Sequence, residues 1–456
     1  MIGKETEGVK ILLGDPKKAI IKLSLPMIVA MSVQTIYNVV DAIWVSGLGA
    51  DALSAVGFFF PFFFMITAVA AGIGIGGGSA ISRRIGAEDK KGADRVAAHT
   101  MVMMVIGALA FTITLFFFAE TIFSAIGAGK VTDLAVVYAR VMAAGTLIIF
   151  FSNVVNALLR GEGDATRSMY ALMTGAGLNI VLDPLFIYTL GMGVAGAAVA
   201  TVLSMGIASL ILFYWIFIKR DTFVSVSLRN FQFSKAVTKE ILSVGLPSAV
   251  SQLSMSFSVL FLNIIVVRAG GTDGVAVFTT GWRVATFASL PLIGIATAVI
   301  AVTGAAYGSR AYEKLDTAYM YAVKVGLAIE VVIAVITYVM APQITLLFTL
   351  SEDAARITED LIAFLRIMCF YYPAISFGML SSALFQGTGK GVNALIVTIF
   401  RTIILAAPLA FTFSLVVHMG LPGVWWGIAT GNITGATTAF VWARLYIRNL
   451  KRRESR

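Results

Sequence analysis

The sequence predicts an all-α polytopic membrane protein, with twelve transmembrane helices in two pseudo-symmetric six-helix lobes. Three observations lead there: apolar runs long enough to cross a bilayer, basic residues collected in alternate connections, and motifs of the first half that recur in the second. Of the 456 residues, 59% are hydrophobic and 13% charged, against about 45–50% and 25% in a soluble domain. Mean hydropathy is +0.91. The 43 glycines suit closely packed membrane helices.

The apolar runs lie at roughly 19–46, 52–82, 96–119, 132–158, 167–189, 194–218, 238–268, 274–306, 316–341, 354–386, 391–416 and 421–446, numbered here spans 1 to 12. Several exceed the ~20 residues a crossing needs, so tilt and kinks are expected. The first 18 residues are polar and lead directly into a full-length span, so no cleavable signal is expected. The polar, basic segment 219–237 divides the chain into an N-terminal lobe (1–218, spans 1–6), a cytoplasmic linker (219–237) and a C-terminal lobe (238–456, spans 7–12).

Charge sets the orientation. Of the 34 Lys and Arg, 26 fall in or beside the termini and the connections after even-numbered spans. Three (Lys130, Arg268, Arg356) fall on the opposite side, and five (Arg140, Arg283, Lys324, Arg366, Arg401) within spans or near their ends. The positive-inside rule then predicts a multi-pass plasma-membrane protein with both termini cytoplasmic. The repeat is visible in Pro26 and Pro247, Ser82-Arg83 and Ser309-Arg310, and Gly193-x-x-Gly196 and Gly420-x-x-Gly423. Ala157-Leu158 with Gly161-x-Gly163 likewise matches Ala383-Leu384 with Gly387-x-Gly389, and the offsets run from 221 to 227. An even number of spans per half gives both repeats one orientation, related by an axis along the membrane normal, with a cleft between lobes.

Much is excluded. One cysteine, Cys369, offers no disulfide framework or metal cluster, and His99 and His418 are far apart in sequence. The net charge of +10 is accounted for by the cytoplasmic loops, so no nucleic-acid partner is expected. Gly72-x-Gly74 and Gly76-Gly77-Gly78 sit inside an apolar span rather than at a strand-to-helix turn, so a nucleotide loop is not expected. With no Walker motif and no hydrolase constellation, the chain reads as neither ATP-driven nor an enzyme, and it calls for no cofactor beyond a coupling ion.

Span 1 carries Gln34, Tyr37, Asn38 and Asp41 at offsets that place them on one helical stripe, opposite an apolar face. Pro26, fifteen residues earlier, makes a kink or a hinge between straight and bent forms. Span 4 contributes Asn153 and Asn156 on one face. Span 5 contributes Asn179 and, four residues on, Asp183; Pro184 follows and frees a backbone carbonyl. Thr201 in span 6 adds a hydroxyl, and Met173 and Met205 share those helices as flexible thioethers suited to a promiscuous pocket.

An ionisable residue inside a span costs about 2.5–3.5 kcal/mol on insertion scales and usually faces a cavity or partner. Asp41 and Asp183 therefore read as a coupling site, with Asn179 and Thr201 as further oxygen ligands for Na+ or supports for H+. Neither acid has a counterpart in the second half. Glu330 in span 9 reads instead as a structural pair with Lys324, although the two are about 120° apart around the helix. Burial disfavours a charged carboxyl, so the cluster holds a proton, a sodium ion or a cationic substrate in competition, which suffices for antiport.

Asn156-Ala157-Leu158-Leu159-Arg160-Gly161-Glu162-Gly163-Asp164, Asn179-x-x-x-Asp183-Pro184 and Pro26 with Gln34 to Asp41, on twelve spans in two halves, resemble the multidrug and toxic compound extrusion (MATE) family. Within it the DinF-type branch, well known from archaea, is the most similar, and the resemblance covers essentially the whole chain. It implies efflux of cationic and amphipathic compounds, driven by inward Na+ or H+, through alternating access between two V-shaped lobes. It also implies an ion site on Asp41, Asn179, Asp183 and Thr201, with Tyr37 and Asn156 lining the drug cavity. The NorM-type branch carries acids in spans 7 and 10; here span 7 has none past Glu240 at its very start, and span 10 has only Glu359 and Asp360 near its outer end. The expected partners are cationic amphipathic small molecules, Na+ or H+, and the lipid bilayer, with the chain a monomer. The alternatives are a lipid-linked oligosaccharide flippase of the wider superfamily and a non-transporting scaffold or channel.

Overall fold

The computed structural model describes residues 6–227, 229, 231–350 and 355–454. Among them the chain is helical almost throughout, with no strand. Among the described residues, nine helices are long and apolar enough to cross a membrane, or eleven when two bent pairs each count as one span. The closing helix Gly420–Glu454, where span 12 is expected, is long enough to cross but carries Thr430, Asn432, Thr434, Thr437 and Thr438 along its middle and is less apolar than the others. Helix Lys235–Ala288 holds span 7 and the start of span 8, broken where Gly270 (φ −150°, ψ 15°) and Gly271 (φ 60°, ψ −148°) leave helical geometry. Span 8 resumes as Leu290–Gly308.

Two spans that read as continuous in the sequence are bent. Span 4 is Gly129–Ala144 followed by Thr146–Gly161 at 50°, and span 10 is Thr358–Cys369 followed by Tyr372–Gly387 at 53°. Gly145, at the first bend, presses on Val202, where a Cβ would sit 2.3 Å from its side chain. At the second, Pro373 has no N–H to continue the helical ladder. The bends fall at matching places in the two halves, as do π-helical turns at Leu185–Thr189 and Thr412–Val416. Left-handed backbone recurs in pairs too: Gly163 with Gly389, Gly191 with His418, and Gly193 with Gly420. The sequence repeat is thus carried in backbone geometry.

The chain forms two compact units: Met1–Gly14 with Val29–Ala249, and Asp15–Ile28 with Val250–Arg456. The helices bearing Pro26 and Pro247 each change unit within three residues of their proline.

In the first unit the glycines of span 2 form two packing faces rather than a phosphate loop. A Cβ on Gly72 or Gly76 would lie 2.6 Å from Gly245 O or 2.3 Å from Ile241 O, and one on Gly78 would lie 2.5 Å from Ala157 O. Backbones approach this closely only where side chains are absent. The 219–237 segment is docked onto this unit. Arg167 pairs with Asp221 at 2.8 Å, Ser225 N–H donates to Asp94 Oδ1 at 2.7 Å, and Ser234 N–H donates to His99 Nε2 at 2.8 Å. The other ring nitrogen of His99 lies 2.8 Å from Arg95 O, so it carries the hydrogen. Arg83 and Arg84 both reach Glu240, at 3.2 and 2.8 Å.

Glu162, just past the end of span 4, is buried and accepts from Val224 N–H at 2.9 Å. Burial pushes its carboxyl up to about 8 from an ordinary 4.5. Folding therefore favours the protonated form. As pH rises, the unfolded chain ionises first, and stability falls between about pH 4.5 and 8 by on the order of 5 kcal/mol at most. Thermal melting of Glu162→Gln is expected to be flatter than wild type across that window; equal slopes would contradict it.

In the second unit, Trp425 is fully buried against Phe278 and Phe364, with ring centroids 5.9 and 4.8 Å away. Lys451 pairs with Asp316 and Glu313 at 2.6 and 2.8 Å, and Arg444 also contacts Asp316. Gly294 packs on Ile28 at the start of span 1.

Candidate functional site

Local sequence explains why the first unit assembles a polar site. Span 5 runs as helix Ala165–Pro184. Pro184 cannot donate to Ile180 O, and the chain slips into the π-helical turn Leu185–Thr189 immediately afterwards. Gly196 packs against that turn, where a Cβ would lie 2.6 Å from Phe186 O, and this sets span 6 (helix Gly193–Phe213) beside span 5. Asn179 and Thr201 meet across this seam.

Asn179, Asp183 and Thr201 are all buried. With its amide nitrogen toward the acid, Asn179 donates to Asp183 Oδ2 at 2.7 Å, and its oxygen accepts from Thr201 N–H at 3.2 Å. The Thr201 hydroxyl donates to Ala197 O at 3.0 Å. Asp183 Oδ1 has no protein partner. Span 1 (helix Pro16–Ser46) brings Asp41, whose carboxyl hydrogen-bonds with that of Asp183. Tyr37, one turn before Asp41, reaches the Thr201 hydroxyl and faces both acids.

Two carboxyls in hydrogen-bonding contact cannot both stay ionised without a cation between them. Such a cluster is chemically suited to hold one proton or one small cation. Tyr138, from the bent span 4, also faces both acids. Sequence reading missed it, because it stands alone on its helix with no polar neighbour one turn away.

An apolar cluster packs at the C-terminal ends of spans 1 and 5. Val45, Ile187 and Ala197 are buried together, with Trp44, Leu48, Val56 and Tyr138 against them. Tyr188 donates to Trp44 O at 2.5 Å, and their rings meet edge to face at 6.1 Å.

The other sequence candidates are more scattered. Gln34 is half-buried and Asn38 exposed on the span 1 stripe. The Asn153 amide donates to Ile149 O at 2.9 Å, and the buried Asn156 donates to Ser152 O at 2.8 Å with its Oδ1 unpartnered. Both asparagines thus turn their amides along their own helix, and Asn153 O packs at the Gly74 position of span 2. Met173 and Met205 are half-buried. Pro26 lies within helix Pro16–Ser46, which continues through it.

The Glu330–Lys324 pair is not formed. Glu330 is fully buried with neither carboxylate oxygen partnered, while Lys324 is exposed on the other side of the helix. A separation of about 120° on one rigid helix keeps them apart.

Known proteins agree with this architecture. The MatE family profile matches residues 26–185 and 247–412, the equivalent stretches of both halves. The chain belongs to the MATE family. Among MATE-like structures, a crystal structure of MATE in complex with MaL6 is 52% identical, covering 98% of this chain and 100% of that one, with a TM-score of 0.96. A MOP superfamily transporter from Pyrococcus furiosus Vc1 (DSM3638) is also 52% identical, over 98% of this chain and 99% of that one, with a TM-score of 0.94. The multidrug export protein MepA of Staphylococcus aureus (strain MSSA476) is 26% identical over 93% of this chain and 92% of its own length. MATE membership makes the chain a transporter.

Proposed function

We propose that this MATE-family chain is a secondary antiporter that exports cationic, amphipathic compounds across the plasma membrane in exchange for Na+ or H+. The observation that carries the reading is the contact between Asp41 and Asp183, backed by Asn179 and Thr201 in the first unit. One buried anionic site can hold an inward-moving cation or help to hold a cationic cargo, and occupancy by one disfavours the other. Gln34, Tyr37, Asn38, Asn153, Asn156, Met173 and Met205 are the proposed substrate-contacting residues, and Pro26 the proposed hinge. The multidrug export name of the Staphylococcus relative supports this class of cargo.

The Asn179 amide bears on the choice of ion. With nitrogen toward Asp183 it donates to the acid; a sodium ion there would be met better by the amide oxygen. An ionised Asp183 favours the nitrogen and a bound Na+ or a protonated acid favours the oxygen, so this amide can serve either ion. Alternating access, both termini cytoplasmic and a monomer complete the proposal.

The test is efflux of a fluorescent lipophilic cation from proteoliposomes, with Na+ and pH gradients imposed separately. Efflux is expected to follow at least one of the two gradients, and each charge moved inward yields about 2.3 kcal/mol per 100 mV. Indifference to both gradients would overturn antiport.

A second reading has one observation behind it: the Pyrococcus furiosus transporter is described as having a binding pocket of reversed polarity that suggests a different function. A flippase for a lipid-linked pyrophosphate needs basic side chains at its site. Tyr37, Tyr138, Asn179 and Thr201, which surround the two acids, are all uncharged.

A further inference from the structure

The second unit holds a buried acid for which the first-unit site has no use. Glu330 lies on helix Tyr312–Val339, eighteen positions past its first residue, the same register that Asp183 occupies on helix Ala165–Pro184. It is 0% exposed, and neither carboxylate oxygen has a hydrogen-bond partner. One turn earlier, Gly326 packs against Leu292, Ser376 and Leu380, so this face of the helix looks onto span 8 and the second half of span 10. There Tyr372 is equally buried, its hydroxyl also unpartnered and within electrostatic reach of Glu330. Three orphaned polar oxygens thus lie buried near the bend of span 10, within electrostatic reach of one another.

The neighbouring charges do not neutralise the acid. Cys369, across the bend, is buried and free. Tyr371 turns to Arg401, accepting from Nη1 at 3.3 Å. Arg366 sits over the Tyr338 ring at 5.4 Å, and Lys324 is exposed. Span 8 presents Leu292 beside Gly326, and Arg444 of the closing helix is engaged with Asp316.

A carboxylate with no cation and no donor in a lipid-embedded interior is costly by several kcal/mol, and proton uptake removes the charge. We propose that Glu330 and Tyr372 form a second proton-binding site, in the second unit, separate from the Asp41–Asp183 pair. The carboxylate takes a proton from hydronium, leaving water, and the new hydroxyl turns to hydrogen-bond with the Tyr372 oxygen, a bond made only in the protonated form; the reverse step returns the proton. No group of three or more metal-ligating residues occurs among the described residues, and a single carboxyl beside a phenol suits a proton better than a metal ion.

The test is pH-difference infrared spectroscopy on the full-length protein in lipid, reading the carbonyl stretch of protonated carboxyls. Glu330→Gln is expected to remove one band that Asp41→Asn and Asp183→Asn both retain. Tyr372→Phe, which deletes only the hydroxyl, is expected to shift that band. If Glu330→Gln leaves every protonated-carboxyl band in place, or Tyr372→Phe shifts none, the site is overturned. The readout involves no transport, so its failure is distinct from failure of the antiport reading.

Discussion

Asp183→Asn is expected to abolish gradient-driven accumulation of a cationic substrate while leaving the protein folded. The side chain is isosteric, and the oxygen that accepts from Asn179 is preserved. Asp183 Oδ1 has no protein partner, so an amide there breaks no existing bond. What is lost is the ionisable carboxyl beside Asp41. A pH gradient of one unit is worth about 1.36 kcal/mol per proton, so the wild type sustains roughly a tenfold substrate ratio per proton exchanged. The variant is expected to give a ratio near one, as is Asp41→Asn. Paired melting curves within a few degrees of wild type would show that coupling, not folding, was removed. Accumulation at wild-type level in either variant would remove that acid from the coupling site.

The second large effect concerns packing. Gly161→Val places a Cβ 2.5 Å from Gly78 O and 2.6 Å from Gly78 Cα, both backbone atoms of span 2. Neither can move without parting the helices, and the seam continues through Gly74 and Gly78 against Val154 and Ala157. Overpacking typically costs 1–3 kcal/mol where side chains can yield; with backbone on both sides, about 3 kcal/mol or more is expected, read as a lower melting temperature and less folded protein on size exclusion. Gly57→Ala on the same span 2 helix, where a Cβ meets nothing within 4 Å, is the control. It is expected to be neutral or stabilising by up to about 1 kcal/mol. Equal losses in both variants would contradict the seam.

These residues also mark how far the sequence could be read. The span 1 stripe and the Asn179–Asp183 spacing were legible because a helix fixes the relative direction of side chains three, four and seven apart. Pro184 was legible as a break because its missing N–H is a local property. Tyr138 was not: its relation to Asp41 depends on the bend of span 4, which arises from Gly145 packing on Val202, a contact 57 residues apart in the chain. The span 2 glycines showed only that no nucleotide loop was present, and the structure shows which backbones they let in. Glu330 shows the reverse error. Its spacing from Lys324 already argued against a pair, and the expectation of charge neutralisation outweighed it.

The central claim is that cation and cargo compete for the Asp41–Asp183 cluster. The most direct measurement is the number of protons released when a fluorescent lipophilic cation binds the purified wild-type protein and the Asp41→Asn/Asp183→Asn double variant in weakly buffered solution at pH 7. Substrate binding is expected to release protons from the wild type and none from the double variant. Equal release from both proteins would place the exchange elsewhere in the molecule.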